Sequence, residues 1–259
     1  MSKVHPFRFI LTTRYKIRYI RSLLRGETTA DLLDLGCGSG FALSQMEGSF
    51  KNATGIDMSP EAIAFGQQFT TAKLMVGNAE KLPFKDKSFD AIVSTDAFEH
   101  IPDDNAAMRE AFRVLRPGGP IVVYSPSTIG ILSNTPLAEL YHDSEKSYLL
   151  DQRYYTIQTL TELAEKAGFK VEYTGYHNFF IQEAFTQVLK WFARKRGIQY
   201  ESQADIGNFV NSPWFPVYRF LALPVIDLMV WFENLIFTTI LGGRIRGHRI
   251  VLKARRGKD

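Results

Sequence analysis

Short apolar runs alternate with amphipathic stretches through the first two-thirds of the chain. "ADLLDLG" has strand length, and Phe41–Met46 after it reads as helix. "ATGIDMS" predicts a second strand, followed by a helix beginning near Pro60 with Ser59 as its N-cap. "KLMVGNA", "FDAIVSTDA" and "PIVVYSP" predict three more strands. A helix over Asn105–Leu115 separates the last two and is stopped by "RPGG". Helical "TIQTLTELAEKAGF", the strand "KVEYTGYHN" and a final strand "HRIVLKAR" complete the pattern. Apolar strands alternating with helices predict an α/β fold. Its sheet is mostly parallel, seven-stranded, and covered by helices on both faces.

Four regions follow from the pattern: a basic helical segment (1–29), the α/β core (30–178), an apolar helical insertion (179–247), and the last strand with a basic tail (248–259). The insertion falls between the last two strands and is not needed by the alternation. "PWFPVYRFLALPVIDLMVWFENLIFTTILGG" is strongly apolar, but Arg219, Asp227 and Glu233 interrupt it. No window reaches the roughly 18 uncharged residues of a transmembrane helix. On a helical wheel Asp227, Glu233, Asn234 and Thr238 cluster on one side, leaving a very wide apolar face. Such a helix packs on the domain or in a homodimer interface, or it lies on a membrane or over a greasy substrate. Trp214, Phe215, Trp231 and the basic Arg244, Arg246 and Arg249 keep the second pair of readings open.

Composition narrows this little. The 259 residues are 45% hydrophobic, enough for a packed core. The net charge of +4 hides basic ends around a more acidic middle, and solvated ends explain that as well as an anionic partner does. One cysteine, Cys37, excludes an internal disulfide framework, and the five histidines never take metal-ligand spacing, so no metal site is expected. The start lacks a signal peptide's apolar core. A cytoplasmic chain is expected, peripheral to the inner face of the membrane if 209–243 meets lipid.

The candidate chemistry begins at "LLDLGCGSGF", with Gly36, Gly38 and Gly40 between an apolar strand and a helix. Bare backbone at the carboxyl edge of an open α/β sheet is where such folds bind ligands. Asp57 ends the next strand 21 positions after Gly36, where a carboxylate can take both hydroxyls of a ribose. The dinucleotide fingerprint G-x-G-x-x-G fails, because Phe41 and Leu43 stand where its last glycine would be. No GK[ST] follows for a triphosphate. A nucleoside without a diphosphate remains.

"DLGCGSGF", "GIDMS", "GNAEKLPFKDKSFDAIVSTDAFEHIPD" and "REAFRVLRPGG", in that order, resemble the motifs of class I S-adenosylmethionine-dependent methyltransferases. The likeness is closest to the branch with the quinone-biosynthesis enzymes and spans roughly 30–123. The resemblance implies a Rossmann-like core with S-adenosylmethionine as cofactor. It implies that Asp34 orients the glycine loop or reaches the methionine amine through water, and that Gly36, Gly38 and Gly40 let backbone meet the cofactor. Asp57 would hold the ribose, and Met58 would pack on the adenine. Asn78, Ala79 and Glu80 would frame the adenine edge, with Asn78 where the family often has Asp. Ser94 and Thr95 would line the methionine moiety.

Methyl transfer from a sulfonium is an in-line displacement, so positioning does much of the work. Where a base is needed, His100 in "FEHIPD" is the first candidate, followed by Asp96, His142, Tyr154 and Tyr155. His142, Arg153 and Tyr154 precede the helical "TIQTLTELAEKAGF", where related enzymes often place acceptor contacts. "STDAF" departs from the N/D-P-P-Y/F motif of many enzymes acting on protein and nucleic-acid nitrogens. A small-molecule or lipid-like acceptor is therefore expected, and no nucleic acid. A macromolecular acceptor, or a non-catalytic cofactor-binding subunit, is the alternative.

Overall fold

The computed structural model describes residues 5, 11–27, 30–127, 153–177, 216, 218–236, 247 and 249–258. Helix α1 (Leu11–Leu23) precedes the sheet. Then come β1 (Asp31–Leu35), α2 (Phe41–Met46), β2 (Asn52–Asp57), α3 (Pro60–Gly66) and β3 (Lys73–Val76). They are followed by β4 (Ala91–Thr95), a 3₁₀ turn (Phe98–His100), α4 (Asp104–Val114), β5 (Pro120–Pro126), α5 (Ile157–Lys166) and β6 (Lys170–His177). A π-helical turn (Tyr218–Ala222) leads into α6 (Leu223–Asn234), and β7 (Arg249–Arg255) ends the order.

Local chemistry explains the boundaries. Ser59 caps α3 by accepting from the Ala62 amide, with Pro60 at the first helical position. Asp103 caps α4, so that helix starts one residue earlier than the sequence pattern suggested. Thr156 and Thr159 form a capping box at α5.

The sheet runs β3-β2-β1-β4-β5-β7-β6. Strands β1 to β5 pair in parallel, and β7 lies antiparallel between β5 and β6. The chain leaves β1 toward β2 on one side and returns at β4 on the other. That reversal opens a crevice at the carboxyl ends of the strands. Side chains alternate across the sheet: Leu33 and Leu35 bury with Met108 of α4 and Leu160 of α5. Leu32 buries on the opposite face with Ile17 and Ile20 of α1 and Leu43 of α2. The basic N-terminal segment thus gives its apolar side to the core.

α6 packs on α1. Leu223, Ile226 and Val230 bury against Tyr15. The Tyr15 hydroxyl donates to Asp227 Oδ1 at 2.8 Å, and Arg14 pairs with Asp227 at 3.3 Å. The inward side of this helix therefore carries Asp227 and the buried Glu233 together with Leu223, Ile226 and Val230, while its outward side is apolar.

Candidate active site

The loop after β1 is pinned to β2, since the amides of Gly36 and Cys37 both donate to the Ile56 carbonyl, at 2.9 and 3.0 Å. Gly36 (φ 69°) and Gly38 (φ 51°) take left-handed conformations that disfavour a side chain. Their surroundings differ. A Cβ at Gly36 would stand 2.3 Å from Ala97 Cβ, whereas one at Gly38 would meet nothing within 4 Å. The first glycine lets the loop press on the end of β4, and the second turns bare backbone to open space. Gly40 caps α2 and faces Leu74 and Thr70.

Asp57 Oδ2 accepts from the Gly38 amide at 2.7 Å, and Oδ1 accepts from the Ser59 amide at 2.9 Å. A carboxylate has about four lone-pair positions. Each oxygen keeps an acceptor, which is what two neighbouring hydroxyls require. A cavity of about 450 Å³ opens here. Gly36, Gly38, Asp57, Met58, Asn78, Ala79, Thr95 and His100 all line it, and α1 closes it with Thr13, Lys16 and Ile17. Met58 is 67% exposed, so a large thioether waits at the rim with its face uncovered.

Other predicted residues lie behind or beside the cavity. Asp34 is fully buried under the loop, and neither of its carboxylate oxygens has a hydrogen-bond partner. Burial pushes its pKa up to about 7, against the pull of Lys16 and with the push of Asp57. Ser94 is fully buried and gives its hydroxyl to the Leu35 carbonyl at 2.8 Å, tying β4 to β1. Glu80 accepts from the Asp103 amide at 2.9 Å, while its own amide donates to Asn78 Oδ1 at 2.8 Å. Glu80 thus joins the turn after β3 to the start of α4.

Arg153 reaches the backbone of the loop that carries His100. Its guanidinium donates to the Ile101 carbonyl at 2.6 Å and to the Pro102 carbonyl, and its amide donates to the Glu99 carbonyl at 3.0 Å. Tyr155 assists by donating to Asp104 at 2.7 Å. Tyr154 is half-buried and is not part of the cavity lining, and His142 lies outside the described residues.

Sequence reasoning gave Lys16 no role, because a lysine in a basic run reads as solvated. In the fold it lines the cavity and pairs with Asp96 at 2.5 Å. Asp96 follows β4 with φ 49°, an unusual value for a residue with a side chain. Arg249 of β7 approaches Asp96 at 3.5 Å. Burial raises the Asp96 pKa, but Lys16 and Arg249 together outweigh it and hold the carboxyl below its ordinary value. Glu99 beneath is different: burial and the Asp96 charge push it up to about 7, despite the hydroxyl that Ser125 donates at 2.9 Å.

In the cavity lining the carboxylates Asp57 and Asp96 outnumber Lys16, which favours a cationic ligand over a polyphosphate. The residues fit S-adenosylmethionine: open backbone at Gly38, a diol acceptor at Asp57, an exposed thioether for a base, and an orphaned buried carboxylate on the sulfonium's side of the charge balance. Residues 33–123 match the family described as Methyltransferase domain. The chain carries a class I S-adenosylmethionine-dependent methyltransferase domain, and S-adenosylmethionine is the cofactor of that enzyme class.

Among relatives, it is 32% identical over 147 residues to the Mycolicibacterium smegmatis protein named "Probable S-adenosylmethionine-dependent methyltransferase", covering 56% of this chain and 53% of that one. It is 39% identical over 102 residues to a demethylmenaquinone methyltransferase of Staphylococcus aureus, covering 37% and 42%. The chain spans about half the length of the curated relatives it matches. A Haemonchus contortus phosphoethanolamine N-methyltransferase 2, solved with S-adenosyl-L-methionine, shares the fold. Its TM-score is 0.58 at 19% identity, over 94% of this chain and 52% of that one.

Proposed function

We propose that the chain transfers a methyl group from S-adenosylmethionine to a small, apolar acceptor of the quinone-like class. The observation that carries this reading is the shared cavity. Asp57, the open backbone at Gly38 and His100 face one space, and its α1 wall is backed by a helix with an apolar outer face. The core's likeness to demethylmenaquinone methyltransferases supports the acceptor class.

Bound S-adenosylmethionine supplies an electrophilic methyl on a sulfonium. Asp57 holds the ribose hydroxyls, Met58 covers the adenine, and Asn78 with Ala79 frames its edge. Thr95 borders the methionine end, and Asp34, reached through water, balances its amine. His100, exposed at the rim, takes the proton from a hydroxyl or carbon acid as it attacks. Arg153 and Tyr155 hold the loop that presents it.

Calorimetry with S-adenosylmethionine is the first test. Binding is expected, and Asp57→Ala lowers affinity by more than about tenfold, since a charge-assisted pair of hydrogen bonds is lost. The second is transfer of an isotopically labelled methyl into quinols, with and without prenyl tails, against RNA and protein fractions. Label entering only the macromolecular fractions would sink the acceptor assignment.

A further inference from the structure

A helix on a protein surface ordinarily turns its charges to water. α6 and the π-helical turn before it do the reverse. Asp227 faces α1 and Glu233 is buried, while Leu221, Leu228, Trp231 and Phe232 are each more than half exposed, at 68%, 64%, 56% and 55%. Phe220 and Val225 extend the same surface. Contiguous exposed apolar area of this kind marks an interaction site.

Charge says what meets it. α1 holds no acidic residue, and Arg14, Arg18, Arg21 and the following Arg25 recur at the spacing of one helix face. They line a groove of their own, and Arg14 bonds Asp227, so this stripe begins against α6. At the other end of the apolar face, Arg219 is exposed and stands over the Phe220 ring at 5.3 Å. Cations beside an apolar face with aromatic side chains complement an anionic bilayer. A second copy would instead bring like arginine stripes together about a two-fold axis.

We infer that α6 and the arginine stripe of α1 dock this protein on an anionic membrane surface. Apolar side chains enter the headgroup boundary, and the arginines meet lipid phosphates. α1 lines the cavity through Thr13, Lys16 and Ile17, so docking also sets the cavity beside the bilayer, from which an apolar acceptor can enter. That last consequence rests on the proposed methyltransferase reading; the docking does not.

Vesicle co-sedimentation of the full chain tests it. Strong binding is expected to vesicles containing phosphatidylglycerol and weak binding to pure phosphatidylcholine. Leu228→Glu lowers partitioning by more than about tenfold, because a leucine's burial is lost. Arg18→Gln and Arg25→Gln each remove about fivefold and flatten the salt dependence. Calorimetric affinity for S-adenosylmethionine stays unchanged in these variants, which shows them folded. Equal sedimentation with both lipids, or none altered by Leu228→Glu, overturns the inference. So does a dimer in solution that Leu228→Glu dissolves, since the face then belongs to a second copy. Absent cofactor binding in the parent chain would sink the methyltransferase reading and leave the vesicle result standing.

Discussion

At the scale of single residues, Gly36 and Gly38 have similar backbone angles but opposite surroundings, so alanine at each should fail differently. At Gly36 the methyl collides with Ala97 and the left-handed angle adds strain. Overpacking of about 1–3 kcal/mol and strain of about 1–2 kcal/mol are expected together. Gly38→Ala carries only the strain, yet sets a methyl where the ligand must approach. Thermal denaturation should find Gly36→Ala clearly the less stable, and calorimetry should find Gly38→Ala folded but more than about tenfold weaker for S-adenosylmethionine. Normal affinity in Gly38→Ala would mean that no ligand meets that backbone. These positions, with Asp57, were legible in the sequence because bare backbone and a strand-end carboxylate have few other uses there. Ser94 was not, since a hydroxyl near a strand end can line a cavity or bond a neighbouring strand, and only the Leu35 carbonyl decides which.

At the scale of elements, the same ambiguity shaped Arg153. Its position ahead of α5 suggested an acceptor contact, but its guanidinium and amide hold three carbonyls of the loop between β4 and α4. Under the proposed function this makes it a positioning residue for His100. Arg153→Met should lower kcat by about tenfold to a hundredfold, because small displacements of a reacting group are costly. Affinity for S-adenosylmethionine should stay within about twofold, since Arg153 is not itself among the residues that line the cavity. A parallel fall in both would make it part of the ligand site. α6 shows a second limit of pattern reading. Its wheel groups Asp227 and Glu233 on one side, and Thr238 of that group lies outside the described residues. Which side faces the protein depends on Tyr15 and Arg14, more than two hundred residues away in sequence, and Leu223, Ile226 and Val230 share that inward side. Strands β1, β4 and β5 and helices α3 to α5 suffered no such ambiguity, because buried parallel strands and capped helices are specified locally.

At the scale of the whole molecule, buried acids and buried histidines among the described residues oppose one another. Asp34 and Glu99 are pushed up to about 7, in both cases chiefly by burial. His5 and His177 are lowered to about 4, again by burial. An acid with a raised folded pKa holds its proton after the unfolded chain has released one, so stability falls as pH rises from about 4 to 7. A histidine with a depressed folded pKa stays neutral while the unfolded chain binds a proton, so stability rises with pH from about 4 to 6.5. Each group contributes about 1.4 kcal/mol per pH unit within its window. The salt-bridged carboxylates Glu27, Asp31, Asp90, Glu110 and Glu172 add stability as pH rises to about 5.5 and nothing further above it, because they are then ionised in both states. Between about pH 5.5 and 6.5 the two raised acids and the two lowered histidines nearly cancel, and the denaturation midpoint of the cofactor-free protein should change little. Asp34→Asn removes one acid without changing the shape of the buried side chain. Its midpoint should climb through that window by about 1.4 kcal/mol per unit, and above pH 7 it should be the more stable protein. A flat profile in the variant would mean that Asp34 has no raised pKa in the folded chain. The buried charge beneath the glycine loop would then be matched within the protein rather than held for a cationic ligand.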